Sequence, residues 1–520
     1  MKKPSRLLII LLVLICATLF PLECNASVNE NNEVNQLLGS ENIKIENFVQ
    51  NLMEKGKIPG ISVVIVQGDK TIYQKGFGYS DIEKRKPVTP KTLFEIGSNS
   101  KAFTALGVLN LQKKGMIKFG DPVSKYIPWL KMNYQGKNAS VTIEELLSHT
   151  SGIPKKTIDK IPVSNDDNAL EETVKTLINA KLDNEPGKSF QYATINYDVL
   201  GLIIEKASGV TYEKYMEENV MKPLGLKDTY LNRNEVANES MAQGYKMAFL
   251  DPRAYNAPIY RGNKPAGYII SDAVDIAKWL KIQMGTYDNI EFNKALIEDS
   301  HKPKIKDVST ASFYASGWFV RKKDETVIYH PGNNPNYSSF ILYNPNNKIG
   351  VAVLSNMNSS YVSAVADGIY GIMTGKDYSH DVIDMYKSAD FVSVLLIGIL
   401  SFILIVILYQ IYKTIKQILR KERKYYKKGK KSILGIVFSF IFIMVFSYCL
   451  NLIPYAFYGG PSWNFVYVWA PISLRIAIYL IYTTSWFLYI YLLIKRLYKN
   501  VQMHEEKSNR VTCNFSYKIK

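Results

Sequence analysis

The sequence predicts an α/β fold of the α+β kind: an antiparallel sheet flanked by helices, joined to an all-helical region and followed by three transmembrane helices. Three observations carry this expectation. Strand-like runs stand at both ends of residues 45–380, with helix-patterned segments between them. Three apolar runs close the chain, each roughly the 20 residues that cross about 30 Å of hydrocarbon. A basic N-terminus leads into a further, shorter apolar stretch.

In chain order, Lys2, Lys3 and Arg6 precede the apolar residues 7–20, and Ala26 offers a small residue at a cleavage point. Residues 1–26 therefore read as a secretory signal; an uncleaved anchor would export the following domain equally. Residues 27–44 read as a polar lead-in. Residues 61–67 and 71–79 read as two strands joined by a turn at 68–70. A helical pattern follows Ser98, with Phe103, Leu106 and Leu109 on one face, and stops at Gly115. Residues 141–147, 197–207 and 212–220 are helix-patterned. Strands return at 326–329, 338–343 and 349–354, with 344–348 as a turn.

The apolar runs cover about 391–412, 433–455 and 476–494. The net charge of +18 comes from 64 Lys and Arg against 46 Asp and Glu. Much of the excess lies at 413–431, which holds ten Lys and Arg against the single acid Glu422. This run lies between two apolar spans, so it reads as a cytoplasmic loop, able to meet anionic lipid, and not as a nucleic-acid footprint. Lys495 and Arg496 follow the last span, whereas residues 456–474 carry no Lys or Arg. The positive-inside rule places the basic loop and the tail 495–520 in the cytoplasm and the domain before residue 391 outside. The expected location is the cytoplasmic membrane, with Trp463 and Trp469 as interfacial anchors.

The four cysteines, Cys16, Cys24, Cys449 and Cys513, leave residues 27–448 without any. This excludes a disulfide framework, a thiolate metal site and a cysteine nucleophile from the exported domain. The five histidines His149, His301, His330, His380 and His504 show no ligand spacing, so neither a metal nor a cofactor is expected.

The chemistry centres on Phe94-Glu95-Ile96-Gly97-Ser98-Asn99-Ser100-Lys101. A strand-like stretch enters a helix at Ser98, and Lys101 follows on the same face three residues later. A serine hydroxyl is a weak nucleophile that needs a base, and a lysine serves as one when burial or a nearby cation lowers its pKa. A bare Ser-x-x-Lys pair occurs often by chance, and its plain reading is a helix cap with a solvated lysine. Tyr192, in Gln191-Tyr192-Ala193-Thr194-Ile195-Asn196-Tyr197, and His330-Pro331-Gly332 change that reading.

With these elements in this order, the chain resembles the penicillin-binding-protein and class C β-lactamase family of serine hydrolases. Leu147-Ser148-His149-Thr150-Ser151-Gly152, Pro223-Leu224-Gly225-Leu226 and Tyr314-Ala315-Ser316-Gly317-Trp318 support the resemblance, which covers about residues 45–370. It implies acylation of Ser98, with Lys101 and Tyr192 sharing the proton work in either order and Tyr192 a phenolate held by the lysine. It also implies that His330 and Gly332 border the cleft, and that the backbone N–H groups of Ser98 and Asn333 form the oxyanion hole. His149 is expected to brace a loop. Thr194 stands where the family usually carries Asn.

That departure and the three spans resemble a narrower group, the membrane-bound prodrug-activating peptidases of nonribosomal peptide pathways of the colibactin and zwittermicin type. The matching stretches are Met132-Asn133-Tyr134-Gln135-Gly136-Lys137, residues 192–201, Asn333-Asn334-Pro335-Asn336-Tyr337-Ser338-Ser339 and residues 463–471. The resemblance implies removal of an N-acyl-D-asparagine cap from a small-molecule prodrug. Thr194, Asn334 and Asn263 are then the candidates to bind the carboxamide, with membrane lipid and a prodrug exporter as the partners. The competing expectations are a D-Ala-D-Ala carboxypeptidase, a D-alanyl esterase or a β-lactamase. A non-turnover β-lactam sensor is a further alternative, poorly served by a short cytoplasmic tail.

Overall fold

The computed structural model describes residues 36–236, 240–376, 382–426, 428–458 and 462–501. The expected signal, the first half of the lead-in, most of the C-terminal tail, His380 and His504 lie outside the described residues.

Nine strands build one antiparallel sheet. Strands β1 (Gly60–Gln67), β2 (Lys70–Asp81) and β3 (Lys86–Pro87) come from the N-terminal side. Strands β4 (Ile305–Asp307), β5 (Ser312–Tyr314), β6 (Phe319–Lys322), β7 (Thr326–Asn334), β8 (Tyr337–Asn344) and β9 (Ile349–Ser355) come from the C-terminal side. Their order is β4-β5-β6-β7-β8-β9-β1-β2-β3, and the two halves meet where β9 pairs β1, Ile61 opposite Ser355. A sheet made from both ends of a domain holds the intervening helices as one inserted layer.

The sheet has a core on each face, which explains why β1 and β9 are apolar almost throughout. Alternate residues of β1 divide: Val64 and Val66 join one core, while Ile61, Val63 and Ile65 join the other. On the first face lie the helices Ser100–Lys113 and Ala273–Gln283, where Phe103 stacks on Trp279 with centroids 3.9 Å apart. On the second face lie Val49 and Leu52, from the helix Gln36–Gly56, and Val365 and Ile369, from the helix Tyr361–Thr374. The helix Gln36–Gly56 begins inside the stretch expected to be a polar lead-in.

The helices Ser100–Lys113, Ile143–Leu147 and Ile195–Ser208 stand where the sequence pattern places them. Thr142 and Glu145 close a capping box on the second. The short strands β4 to β6 and the helix Ala273–Gln283 were not legible in the pattern.

Three helices satisfy the length and apolarity of a membrane span: Met385–Leu419, Ser432–Tyr455 and Ile472–Leu497. Phe402, Phe438 and Leu492 face outward from them, an arrangement that suits lipid and not water. The connection expected as a bare loop contains a further helix, Trp463–Trp469, which docks on the hydrolase domain. Lys246 Nζ donates to the carbonyls of Tyr467 and Val468, at 3.1 and 2.9 Å, where the helix presents its free acceptors. Ser462 donates through its N–H and its hydroxyl to Asp159, at 2.9 and 2.8 Å. The hairpin formed by Tyr245–Ala248 and Asp251–Ala254 turns at Phe249 and Leu250, both at positive φ, and their N–H groups donate to Asp390 at 3.1 and 2.6 Å. Asp390 also accepts from Ser473, so one buried carboxylate ties the hairpin to two membrane helices.

Candidate active site

Ser98 stands on a single 3₁₀ turn, Gly97–Asn99, that feeds directly into the helix Ser100–Lys113. The turn is fixed on every side. Phe94–Glu95 pairs with Ile270–Ser271, Ser100 Oγ donates to the Gly97 carbonyl at 2.7 Å, and Ile269 N–H donates to Ser100 Oγ at 3.1 Å. Ser339 of β8 accepts from the Asn99 amide at 2.8 Å and donates to the Ile96 carbonyl at 2.7 Å.

Strand β7 passes against this turn so closely that two glycines are required. A Cβ on Gly97, whose φ is +55°, would lie 2.4 Å from the Asn333 amide nitrogen. A Cβ on Gly332 would lie 2.0 Å from the Ile96 carbonyl oxygen. The contact brings the exposed Asn333 and its N–H beside the Ser98 turn, the position expected for the second oxyanion donor.

Lys101 is fully buried. Its Nζ donates to Ser98 Oγ at 3.0 Å, to Thr194 Oγ1 at 3.1 Å and to the Ala266 carbonyl at 2.6 Å. Burial pulls its pKa down to about 7, against the opposing charge of Asp198. The Tyr192 hydroxyl is hydrogen-bonded to Ser98, and its ring lies 5.1 Å from Lys101 Nζ. Burial raises the Tyr192 pKa, which favours the neutral phenol over the phenolate expected from the sequence; the lysine is the group brought near neutrality.

His330 corrects another expectation. It does not border the open cleft but lies buried behind it, 1% exposed. Its Nδ1 bonds the Pro331 carbonyl at 2.7 Å and its Nε2 meets Tyr314 Oη at 3.4 Å. Burial, then the Lys101 charge, pushes it down to about 3. His149 is likewise buried, its ring packed 4.3 Å from that of Tyr192. The Asn196 amide donates to its Nδ1 at 2.9 Å, so it braces the Tyr192 segment. Desolvation holds it well below the usual histidine range.

The three candidate carboxamide contacts are already engaged within the protein. Thr194 accepts from Lys101. The Asn334 amide donates to Glu95 Oε2 at 2.7 Å and to the Gly267 carbonyl at 2.9 Å. Asn263 places its amide nitrogen 3.0 Å from both oxygens of Asp198, the orientation that avoids setting an amide oxygen against a carboxylate. Sequence reasoning missed Glu95 and Asp198 as site residues. Asp198 carried a signal: it is the one acid among the otherwise apolar or amide residues 195–204, one helical turn beyond Thr194. Among the described residues, no group of acidic, His and Cys side chains could hold a metal.

The comparisons agree with this geometry. The β-lactamase family profile matches residues 45–372. Protein flp of Staphylococcus aureus is 32% identical over 440 residues, covering 84% of this chain and 87% of that protein. Penicillin-binding protein 4* of Bacillus subtilis is 27% identical over 368 residues, covering 64% and 76%. Among solved structures, the octameric penicillin-binding protein homologue from Pyrococcus abyssi superposes with a TM-score of 0.59 at 32% identity, over 67% of this chain and 80% of that one. D-Alanine carboxypeptidase AmpC from Burkholderia cenocepacia shares the fold, with a TM-score of 0.55 at 24% identity, over 64% and 99%. A serine and a buried lysine 3.0 Å apart, a tyrosine bonded to that serine, and a family match over most of the soluble domain lead to one conclusion: the chain belongs to the β-lactamase and penicillin-binding-protein family of serine hydrolases.

Proposed function

We propose that the protein is a membrane-anchored serine peptidase that removes an N-acyl-D-asparagine cap from a nonribosomal peptide prodrug on the outer side of the cytoplasmic membrane. The observation that carries this reading is a cavity of about 720 Å³ between the hydrolase domain and the membrane helices. Ile158 and Gln191 line it from one side, and Phe465, Val466, Trp469 and Leu474 from the other. Gln191 immediately precedes Tyr192 in the chain, so the segment that carries the tyrosine also reaches this apolar space. A capped substrate needs such a place for its acyl chain; a short D-Ala-D-Ala terminus does not. Thr194 supports the same reading, because it sets a hydroxyl against Lys101 where the family usually carries an amide.

In this mechanism Ser98 Oγ attacks the carbonyl carbon of the D-asparaginyl amide while neutral Lys101 takes the hydroxyl proton. The N–H groups of Ser98 and Asn333 hold the developing oxyanion. The C–N bond breaks as Tyr192 delivers a proton to the leaving amine, with Lys101 resupplying the phenol. Water then attacks the acyl-enzyme, releasing the N-acyl-D-asparagine and restoring Ser98.

The relatives favour a second reading, a D-alanyl carboxypeptidase or esterase of the cell wall, given Penicillin-binding protein 4* and the carboxypeptidase structure. The two are separated by incubating the full-length enzyme with an N-acyl-D-Asn amide and with a D-Ala-D-Ala peptide. Cleavage of the first supports the prodrug reading; cleavage of the second alone overturns it. An exporter that delivers prodrug to the spans belongs to the same reading. It would appear as crosslinks to the helix Trp463–Trp469.

A further inference from the structure

The cavity of about 720 Å³ has walls that the hydrolase family match does not contain: they come from the ends of the membrane helices that face the hydrolase domain. Met385 and Ala389 belong to the first two turns of the helix Met385–Leu419, and Leu474 to the first turn of Ile472–Leu497. Phe465, Val466 and Trp469, on one face of the helix Trp463–Trp469, complete this apolar side. The Phe465 and Trp469 rings stack with centroids 5.7 Å apart and are only half-buried. The wall is fastened to the hydrolase domain at both ends. Asp159 grips Ser462, the N-cap of the aromatic helix, and Lys246 holds its last carbonyls, the charge order that a helix dipole favours. The cavity is therefore pre-formed, and its volume lies within the roughly 300–1,000 Å³ of ligand pockets.

The opposite rim is basic. Asp159 lies in the 3₁₀ helix Lys155–Lys160, so the bond that holds the aromatic helix also fixes where the exposed Lys155 and Lys156 stand, on the cavity rim. Asp307 feels the charge of Lys155, but its own oxygens are taken by Ser309 and Thr310. Asp183, the one acid among the described residues lining the cavity, accepts from the Gln191 amide at 2.7 Å. Arg475, beside Leu474 in the chain, turns instead toward the rings of Tyr467 and Tyr479, 5.4 and 5.6 Å away.

We propose that this cavity is a binding site for one anionic phospholipid of the leaflet nearest the hydrolase domain, its phosphate on Lys155 and Lys156 and one acyl chain along Phe465, Trp469 and Leu474. Two observations select this occupant. The walls are span ends, so a chain from the surrounding bilayer reaches them without crossing water. A basic pair beside an apolar wall matches the order of phosphate and chain in a phospholipid, at a depth that tryptophan favours. This goes beyond the prodrug reading: it says what occupies the cavity before a substrate arrives, and it stands whichever bond Ser98 cleaves. A prodrug acyl chain that used the same wall would compete with the bound lipid.

The test uses the full-length protein in neutral detergent micelles, titrated with phosphatidylglycerol or phosphatidylcholine that carry the same brominated chains. Bromine quenches a tryptophan it touches, and the quenched component that a Trp469→Phe variant lacks is the signal of Trp469. Each basic side chain near a lipid surface favours anionic over neutral lipid by roughly fivefold. Wild type should therefore reach half-maximal quenching of Trp469 at about tenfold less phosphatidylglycerol than phosphatidylcholine. The double variant Lys155→Gln/Lys156→Gln, on an exposed turn, should bring the two lipids within twofold of each other. A variant with the same charge loss in the basic loop, Lys424→Gln/Lys430→Gln, should keep the wild-type preference. Native mass spectrometry gives a second reading that does not depend on Trp469: the lysine pair variant should retain at least fivefold less phosphatidylglycerol than wild type. Equal quenching of wild type by both lipids, or no quenching of Trp469 by either, overturns the proposal. A preference that survives loss of Lys155 and Lys156, or that disappears with Lys424 and Lys430, overturns it as well. No substrate enters these measurements, so failure of the D-asparagine reading leaves the lipid site standing, and failure of the lipid site leaves the cleaved bond to be decided by its own assay.

Discussion

Replacing Gly332 by alanine tests the geometry that joins strand β7 to the nucleophile. The added methyl would stand 2.0 Å from the Ile96 carbonyl oxygen and 2.3 Å from Ser339 Oγ, and ordinary contact begins at 3.4 Å. Ile96 cannot retreat, because its N–H is tied to the Ile269 carbonyl at 2.9 Å and its carbonyl accepts from Ser339. Strand β7 must therefore move away from the Ser98 turn by more than about 1 Å, and it carries the Asn333 N–H with it. A misplacement of that size costs roughly 100-fold in rate, similar to the loss of one oxyanion donor, about 10²–10³-fold. The overpacking itself costs about 1–3 kcal/mol, small enough to leave the domain folded. The assay is kcat/KM for an activated ester, beside far-UV circular dichroism and a thermal scan. The expected result is a fall of about 100-fold in kcat/KM with native secondary structure and a Tm lower by a few degrees. Activity within threefold of wild type would show that Asn333 does not serve the oxyanion, and the site would need another donor.

Further outcomes follow from the same geometry. Lys101 must be neutral to take the Ser98 proton, and burial brings it down to about 7, so kcat/KM should rise about tenfold per pH unit below 7 and level off above it. His149 and His330 are pushed well below this range and contribute no limb, so a Lys101→Arg variant should lose activity at every pH instead of shifting the profile. Thr194→Val removes the hydroxyl acceptor of Lys101 while keeping the shape; kcat should drop about tenfold, consistent with roughly 1.5–3 kcal/mol for a hydrogen bond to a charged group, with Tm nearly unchanged. Asp390→Ala strands the Phe249 and Leu250 N–H groups and the Ser473 hydroxyl. At about 1–3 kcal/mol for each unsatisfied buried group, it should lower the Tm of the full-length protein and open residues 245–254 to protease; an unchanged cleavage pattern would argue against a hairpin clamp.

The sequence by itself picked out Ser98, Lys101 and Tyr192, which the fold brings together, and the order of the elements around them. Ser98, Lys101 and Tyr192 are legible because a nucleophile and its base are specified by side-chain type, and because Ser-x-x-Lys lies within one helical turn. The spans are legible because crossing a bilayer needs a long apolar run whatever its neighbours. The strands β1, β8 and β9 are legible because both their faces are buried, which leaves a β-branched run in the composition. The short strands β4 to β6 have no such signature, since each depends on its partner for every ladder bond.

Only the tertiary structure decided what the polar residues do. Glu95 and Asn334 are 239 positions apart, and Lys101 meets Ala266 across 165. No local pattern records a contact made by folding a sheet from both ends of a domain. The same closure buries His330, which the sequence placed at the cleft, and leaves Asn333 exposed beside it. It also sets the direction of each pKa shift, because desolvation is a property of packing and not of residue type. The helix Trp463–Trp469 is the clearest case. In sequence it is an aromatic stretch between two spans; in the fold it meets Lys246 and becomes one wall of a cavity that Gln191 lines from the hydrolase domain.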